Sequence, residues 1–114
     1  MERAVQDKSF HFAVRTVNLC RHLRQEKQEY ILTKQLLRSG TSIGANIAES
    51  QQAQSTSDFV HKLSVALKEA TETAYWLRLL HATDYLSNKA FDSMIQDCLE
   101  LEKLLTAIIK SAKE

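Results

Sequence analysis

The sequence predicts an all-α protein, an antiparallel up-down-up-down four-helix bundle, and three observations carry that prediction. Four segments of about 18 to 28 residues repeat apolar residues at the helical spacing of three and four. Short polar stretches separate them, as they do between neighbouring antiparallel helices of a bundle. The chain has no proline, only two glycines and no run of alternating β-type residues. With 114 residues, 44% of them apolar and 25% charged, it reads as one domain over residues 1–114. That length can enclose a core, yet leaves room for assembly to add stability.

Residues 1–7 read as a flexible N-terminal arm. Ser9 is the expected N-cap of a first helix over residues 10–27. Its apolar arc is unusually wide. Phe12, Leu19 and Leu23 lie on one side, and Phe10, Ala13, Val14, Val17 and Cys20 on the other. A helix that packs only within its own bundle needs a narrower stripe. The surplus points to a second buried contact, most simply with another copy of the chain.

The second helix is expected over residues 30–54 and holds both glycines, Gly40 and Gly44, in QLLRSGTSIGANIAE. Leu32, Leu36, Ile43 and Ile47 form its core face. Tyr30, Leu37 and Ala48 make a second apolar strip beside it. Each glycine costs about 0.5–1 kcal/mol relative to alanine in a helix interior. Two of them four residues apart thin the helix so that another backbone can come close. Ser39, Ser42 and Asn46 flank this stretch, either satisfied by neighbouring helices or contacting a ligand.

Ser55 and Asp58 have capping-box spacing, with Asp in place of the usual Glu, and open a third helix running to Thr83. Its core face is Phe59, Leu63, Ala66, Ala70, Ala74 and Leu77. On its back, Val65, Trp76 and Leu79 cluster with Glu69 and Glu72, which reads as an oligomer interface anchored by the tryptophan. The alternative is a Trp76 that caps the edge of its own bundle. Glu69 and Glu72, three apart on one face, lack the inward histidines of a di-iron bundle. They read as partners of Arg38, Lys34 or a second protomer's arginine. Ser87 caps a fourth helix over residues 88–112, with a near-heptad seam from Phe91 and Met94 through Leu105 to Ile108.

The charge pattern and the cysteines narrow the function classes. Net charge is +1, but residues 1–50 carry eight Lys/Arg against five acids and residues 51–114 seven against nine. The first half is therefore the one suited to anions. Cys20 and Cys98 lie on apolar helical faces and read as buried thiols of a reducing compartment. No CxxC occurs and the histidines are scattered, so no metal or cofactor is expected. The start MERAVQDK has no apolar leader, and no run reaches the roughly 20 apolar residues of a membrane span. A cytoplasmic protein with no membrane partner is expected. No nucleophile or base comes with an orienting partner in a recognisable motif, so no catalytic residue is named and no enzyme is expected.

QLLRSGTSIGANIAES, followed by SDFVHKLSVALKEATETAYWLRLL, resembles the bacterial "four-helix bundle protein" family. That family includes proteins encoded in intervening sequences of 23S ribosomal RNA genes. It is related to the accessory variability determinant of diversity-generating retroelements. The likeness runs from Ser9 to about Ile109 and is carried most specifically by Gln35, Arg38, Ser39, Ser42, Ile43, Asn46 and Glu49 on the second helix. On the third it is carried by Phe59, Leu63, Ala66, Lys68, Glu69, Glu72, Trp76 and Leu77. The resemblance implies a homopentameric ring with a basic channel or surface. In the retroelement relatives such an assembly binds nucleic acid and a reverse transcriptase, which implies a nucleic-acid-processing protein as a partner class.

Two readings of function follow. In the first, the protein is non-enzymatic and homo-oligomeric and binds RNA or DNA through phosphate contacts from Arg15, Arg21, Arg24, Lys34 and Arg38. Aromatic residues are few and expected mostly in the core, so binding should be led by charge and shape. In the second, it is a protein-interaction scaffold that works through Val65, Trp76 and Leu79, with its charges only solvating the surface.

Overall fold

The helices pack in a ring of contacts: α1 (Glu2–Lys27) on α2 (Ile31–Ser50), α2 on α3 (Thr56–Ala82), α3 on α4 (Asn88–Lys113), and α4 back on α1. The computed structural model describes residues 2–114, without the side chain of Glu2. The molecule measures 45 × 21 × 19 Å, the length of a single helix of 26 to 27 residues with its turns. Among the described residues there is no strand, and no helix is long and apolar enough to cross a membrane.

One core runs the length of the molecule. Phe12 and Leu23 of α1, Leu36 and Ile43 of α2, Leu63 and Leu77 of α3, and Leu101 and Leu105 of α4 are each at most 2% exposed. The polar groups inside it are paired. The Thr73 hydroxyl of α3 donates to Ser39 Oγ of α2 at 2.9 Å, and Thr16 donates to the Phe12 carbonyl at 2.9 Å. Among the described residues no buried side-chain nitrogen or oxygen lacks a partner. Cys20 and Cys98 are buried and unpaired. Burial pushes the Cys20 thiol up to about 11 against a smaller opposing pull from Arg24, and pushes Cys98 up to about 12. Thiols held protonated in this way are poor nucleophiles.

The sequence reading needs correction at the helix ends. Of the arm expected over residues 1–7, residue 1 lies outside the described residues, and residues 2–7 are the first turns of α1. Val5 is the reason: it is 1% exposed and joins the core, so burial extends the helix. Ser9 is then an interior residue, not a cap; its hydroxyl donates to the Gln6 carbonyl at 3.0 Å. Expected to reach residue 54, α2 stops at Ser50 because Ser55 must be extended (φ −157°, ψ 166°) to accept from the Asp58 N–H. Asp58 reaches back to the Gln54 N–H at 3.2 Å. This is the reciprocal cap expected from the spacing, displaced by one residue. Ser87 caps α4 by accepting from the Ala90 N–H at 3.1 Å, as expected.

Neither glycine is spent on a helix end. The α3–α4 turn places Asp84 in the left-handed region (φ 68°). There Tyr85 N–H donates to the Leu80 carbonyl and Asp84 N–H to the His81 carbonyl, the two bonds of a Schellman closure. The α1–α2 turn also places Gln28 in the left-handed region (φ 51°), but closes with Glu29 N–H donating to the Leu23 carbonyl at 3.2 Å. Glu29 then replaces the missing side-chain cap of α2: its two carboxylate oxygens accept from Leu32 N–H at 2.9 Å and Thr33 N–H at 2.8 Å. Burial favours the neutral acid, but these backbone donors outweigh it and hold the carboxyl below its ordinary value of 4.5.

A depressed folded-state pKa contributes stability above the unfolded pKa and loses it as pH falls through the folded one. Glu29→Gln is therefore expected to cost about 1 kcal/mol at neutral pH, the typical value of a cap. The gap to the parent protein should shrink as the pH drops below about 4.5. Urea unfolding of both proteins across pH 3–7 checks this; a gap independent of pH counts against it.

Candidate nucleic-acid interface on α1 and α2

The second apolar sides of α1 and α2, surplus to the core in the sequence, meet to form one outer face. On α1, Phe10, Val14, Val17, Arg21 and Arg24 follow one another at three- and four-residue steps; at the N-cap of α2 and along it, Tyr30, Lys34, Leu37, Thr41, Ala45 and Ala48 do the same. Two contacts align them. Arg24 Nε donates to Thr33 Oγ1 at 3.0 Å at one end. At the other, a cleft of about 470 Å³ is lined by Phe10 and Ala13 of α1 and by Gly44, Ala45 and Ala48 of α2.

The two ends of this face differ in chemistry. The cleft end is apolar, and Phe10 is 71% exposed there, with Val14 at 43%. The turn end is basic. Arg21, Arg24, Lys27 and Lys34 lie within residues 21–34, against two acids, Glu26 and Glu29. Glu29 is turned inward onto the first N–H groups of α2, and helical spacing sets Glu26 away from both arginines. None of the four cations is in an ion pair among the described residues.

Of the five cations that the sequence nominates for phosphate contact, the structure brings together Arg21, Arg24 and Lys34. It sets the other two elsewhere. Arg15 faces α4, pairing with Asp97 at 2.5 Å and donating to Ser93 Oγ at 2.7 Å. Arg38 faces α3 and pairs with Glu69 at 3.2 Å and with Glu72. Hydrogen bonding to Glu72, against a small desolvation loss, pushes Arg38 above its ordinary range. Glu72 is held below its own by the Trp76 indole N–H and then by Arg38.

The residues nominated as an oligomer interface lie on that α2–α3 side. Val65, Glu69, Glu72, Trp76 and Leu79 are each half-buried in the single chain. Trp76 packs on the core, donates its indole N–H to Glu72 Oε2 at 2.9 Å and meets Tyr75 edge-on at 5.0 Å. Ser39, Ser42 and Asn46 are satisfied within the chain: Ser39 accepts from Thr73, Ser42 donates to the Arg38 carbonyl at 2.5 Å, and Asn46 donates to the Ser42 carbonyl at 2.8 Å.

The aromatics sit mostly in or against the core, as expected: Phe12 is buried, and Phe59, Trp76, Tyr85 and Phe91 pack on it. Phe10 (71%), Tyr30 (57%) and Tyr75 (51%) are exposed. The sequence signal was present for Tyr30, which is four residues from Lys34 and preceded by a polar turn. Lys27, though near in sequence, lines a separate cleft with His22, His81 and Asp84.

The comparisons with known proteins agree on the fold. A crystal structure of a protein of unknown function from the S23 ribosomal protein family of Bacteroides thetaiotaomicron is similar over 96% of this chain and 97% of that one, with 54% identity and a TM-score of 0.95. The chain has no match among curated proteins. The family model described as "23S rRNA-intervening sequence protein" matches residues 1–107. With nearly the whole chain inside that match, and its four helices arranged as in the Bacteroides structure, the protein belongs to the 23S rRNA-intervening sequence protein family.

Proposed function

We propose that this is a non-enzymatic, homo-oligomeric, cytoplasmic protein that binds nucleic acid through the basic end of the α1–α2 face. The observation that carries the reading is the group of Arg21, Arg24 and Lys34 with no carboxylate partner among the described residues. Surface cations left unpaired on one face are the footprint of phosphate binding. The antiparallel up-down-up-down course is part of this reading, and cross-helix pairs support it. Lys8 meets Glu100 while Arg15 meets Asp97, and Arg38 meets Glu72 while Glu49 meets Lys62. In both pairings one number rises as the other falls.

Self-association is supported by the exposed Phe10 and Val14. A ring of five, which the family resemblance implies, would repeat the cation cluster around an axis and raise avidity without new contacts. Two buried, unpaired cysteines are in keeping with a reducing compartment.

The test is fluorescence anisotropy of a structured RNA and a DNA duplex across a salt series. Arg21→Gln, Arg24→Gln and Lys34→Gln combined is expected to weaken binding at least tenfold. It should also flatten the salt dependence by up to about 0.9 per lost phosphate contact. Arg15→Gln with Arg38→Gln should do much less, since both side chains already serve carboxylates. Native mass on the same samples reads the assembly.

A protein-interaction scaffold is the second reading, favoured by the exposed Phe10 beside its cleft. It leads if no nucleic acid binds at low salt.

A further inference from the structure

Tyr30 stands at the centre of the basic end of the face. It occupies the N-cap position of α2, yet its side chain makes no capping bond (φ −119°, ψ −16°). That capping task has passed to Glu29. The phenol ring is thus free of any structural duty in its own helix and is 57% exposed. Lys34 is one turn further along the same face of α2. Arg24, drawn across by its 3.0 Å bond to Thr33, lies on the facing side of α1, with Arg21 one turn before it.

We propose that this end of the face is a subsite for unpaired nucleotides, in which Tyr30 stacks on an exposed base while Arg21 and Lys34 hold the flanking phosphates. The inference rests on the nucleic-acid reading above and specifies its substrate class: single-stranded or looped segments, not continuous duplex. A phenol ring in a field of cations fits that class because only an unpaired base offers its π-face. In a duplex both faces of each base are already stacked. A duplex would meet the cations alone. The turn that carries Tyr30 is tied to α1: Arg24 is bonded to Thr33, and Thr33 donates to the Glu29 carbonyl at 2.9 Å. A single stacking residue gives affinity with little base preference. The subsite reads the absence of pairing more than it reads sequence.

The experiment compares labelled oligouridylate, oligothymidylate and a DNA duplex by anisotropy, with parent protein, Tyr30→Ala, Tyr30→Phe and Lys34→Gln. Tyr30→Ala is expected to weaken both single strands about tenfold or more, with duplex affinity and salt slope unchanged. Tyr30→Phe should bind as the parent does, and Lys34→Gln should lower affinity and slope for all three. Circular dichroism of Tyr30→Ala verifies that the turn still folds. The uridylate and thymidylate arms distinguish RNA from DNA as the source of the strand.

Single-strand affinity unchanged in Tyr30→Ala, with Lys34→Gln still weaker, overturns the stacking subsite and leaves the basic reading standing. An equal loss on duplex, or a loss reproduced by Tyr30→Phe, also overturns it. No binding by the parent protein at low salt overturns both.

Discussion

Gly40→Leu is expected to destabilise the protein by about 3 kcal/mol, near the upper end of what overpacking costs. A Cβ at Gly40 would stand 2.7 Å from Thr16 Cγ2 and 2.9 Å from its Oγ1. Thr16 cannot swing aside. It is β-branched and so stiff at χ1, fully buried, and bonded to the Phe12 carbonyl at 2.9 Å. The backbones of α1 and α2 must part instead. Leucine is the better helix former by nearly 1 kcal/mol, so any loss is steric and not a matter of propensity. Thr16→Ala in the same chain removes the two closest atoms and should return part of the stability, which a double-mutant cycle by urea unfolding reads directly. Gly44→Ala is the contrast. Its Cβ would lie 3.3 Å from the Ser9 carbonyl oxygen, and strain and propensity gain should nearly cancel. A Gly40→Leu protein as stable as the parent would mean that the α1–α2 contact is looser than it stands here.

Phe12→Ala should cost about 3–5 kcal/mol. Phe12 is 1% exposed and is the largest fully buried side chain of α1. Its ring lies on the side of α1 that faces the core, together with Leu23. Truncation forfeits the transfer energy of the ring and leaves a cavity that four packed helices close only in part. Phe10, two residues earlier, has the same chemistry and the opposite position at 71% exposed. Phe10→Ala should change the stability of the single chain by less than about 0.5 kcal/mol. The difference between the two midpoints in urea separates buried from exposed phenylalanine, and two equal losses would contradict the orientation of α1.

Much of the candidate face was legible in residue spacing. The wide apolar arc of α1 predicted a side not used by the core, and Phe10 and Val14 are that side. The strip of Tyr30, Leu37 and Ala48 predicted its counterpart on α2. What spacing does not hold is which cations share a surface. Arg15 is six residues from Arg21 and Arg38 is four from Lys34. The separation of four is as consistent with one basic face as the three between Arg21 and Arg24, whereas the separation of six turns Arg15 about 120° away. Only the neighbouring helices decide. Asp97 lies within 2.5 Å of Arg15 because α4 packs there, and Glu69 and Glu72 meet Arg38 because α3 does.

The sequence by itself determined the four helices, the capping of α3 and α4, the core faces and the close approach at Gly40 and Gly44. These follow from local rules, namely periodicity, side-chain hydrogen bonding to the nearest backbone, and the missing Cβ. The tertiary structure decided where α1 begins, which residue caps α2, and which cations remain free. Each depends on a residue distant in the chain or on a burial that exists only after packing. Val5 becomes helical because a core receives it. Glu29 caps because the turn folds it inward. Arg21 and Lys34 remain available because no carboxylate is brought against them.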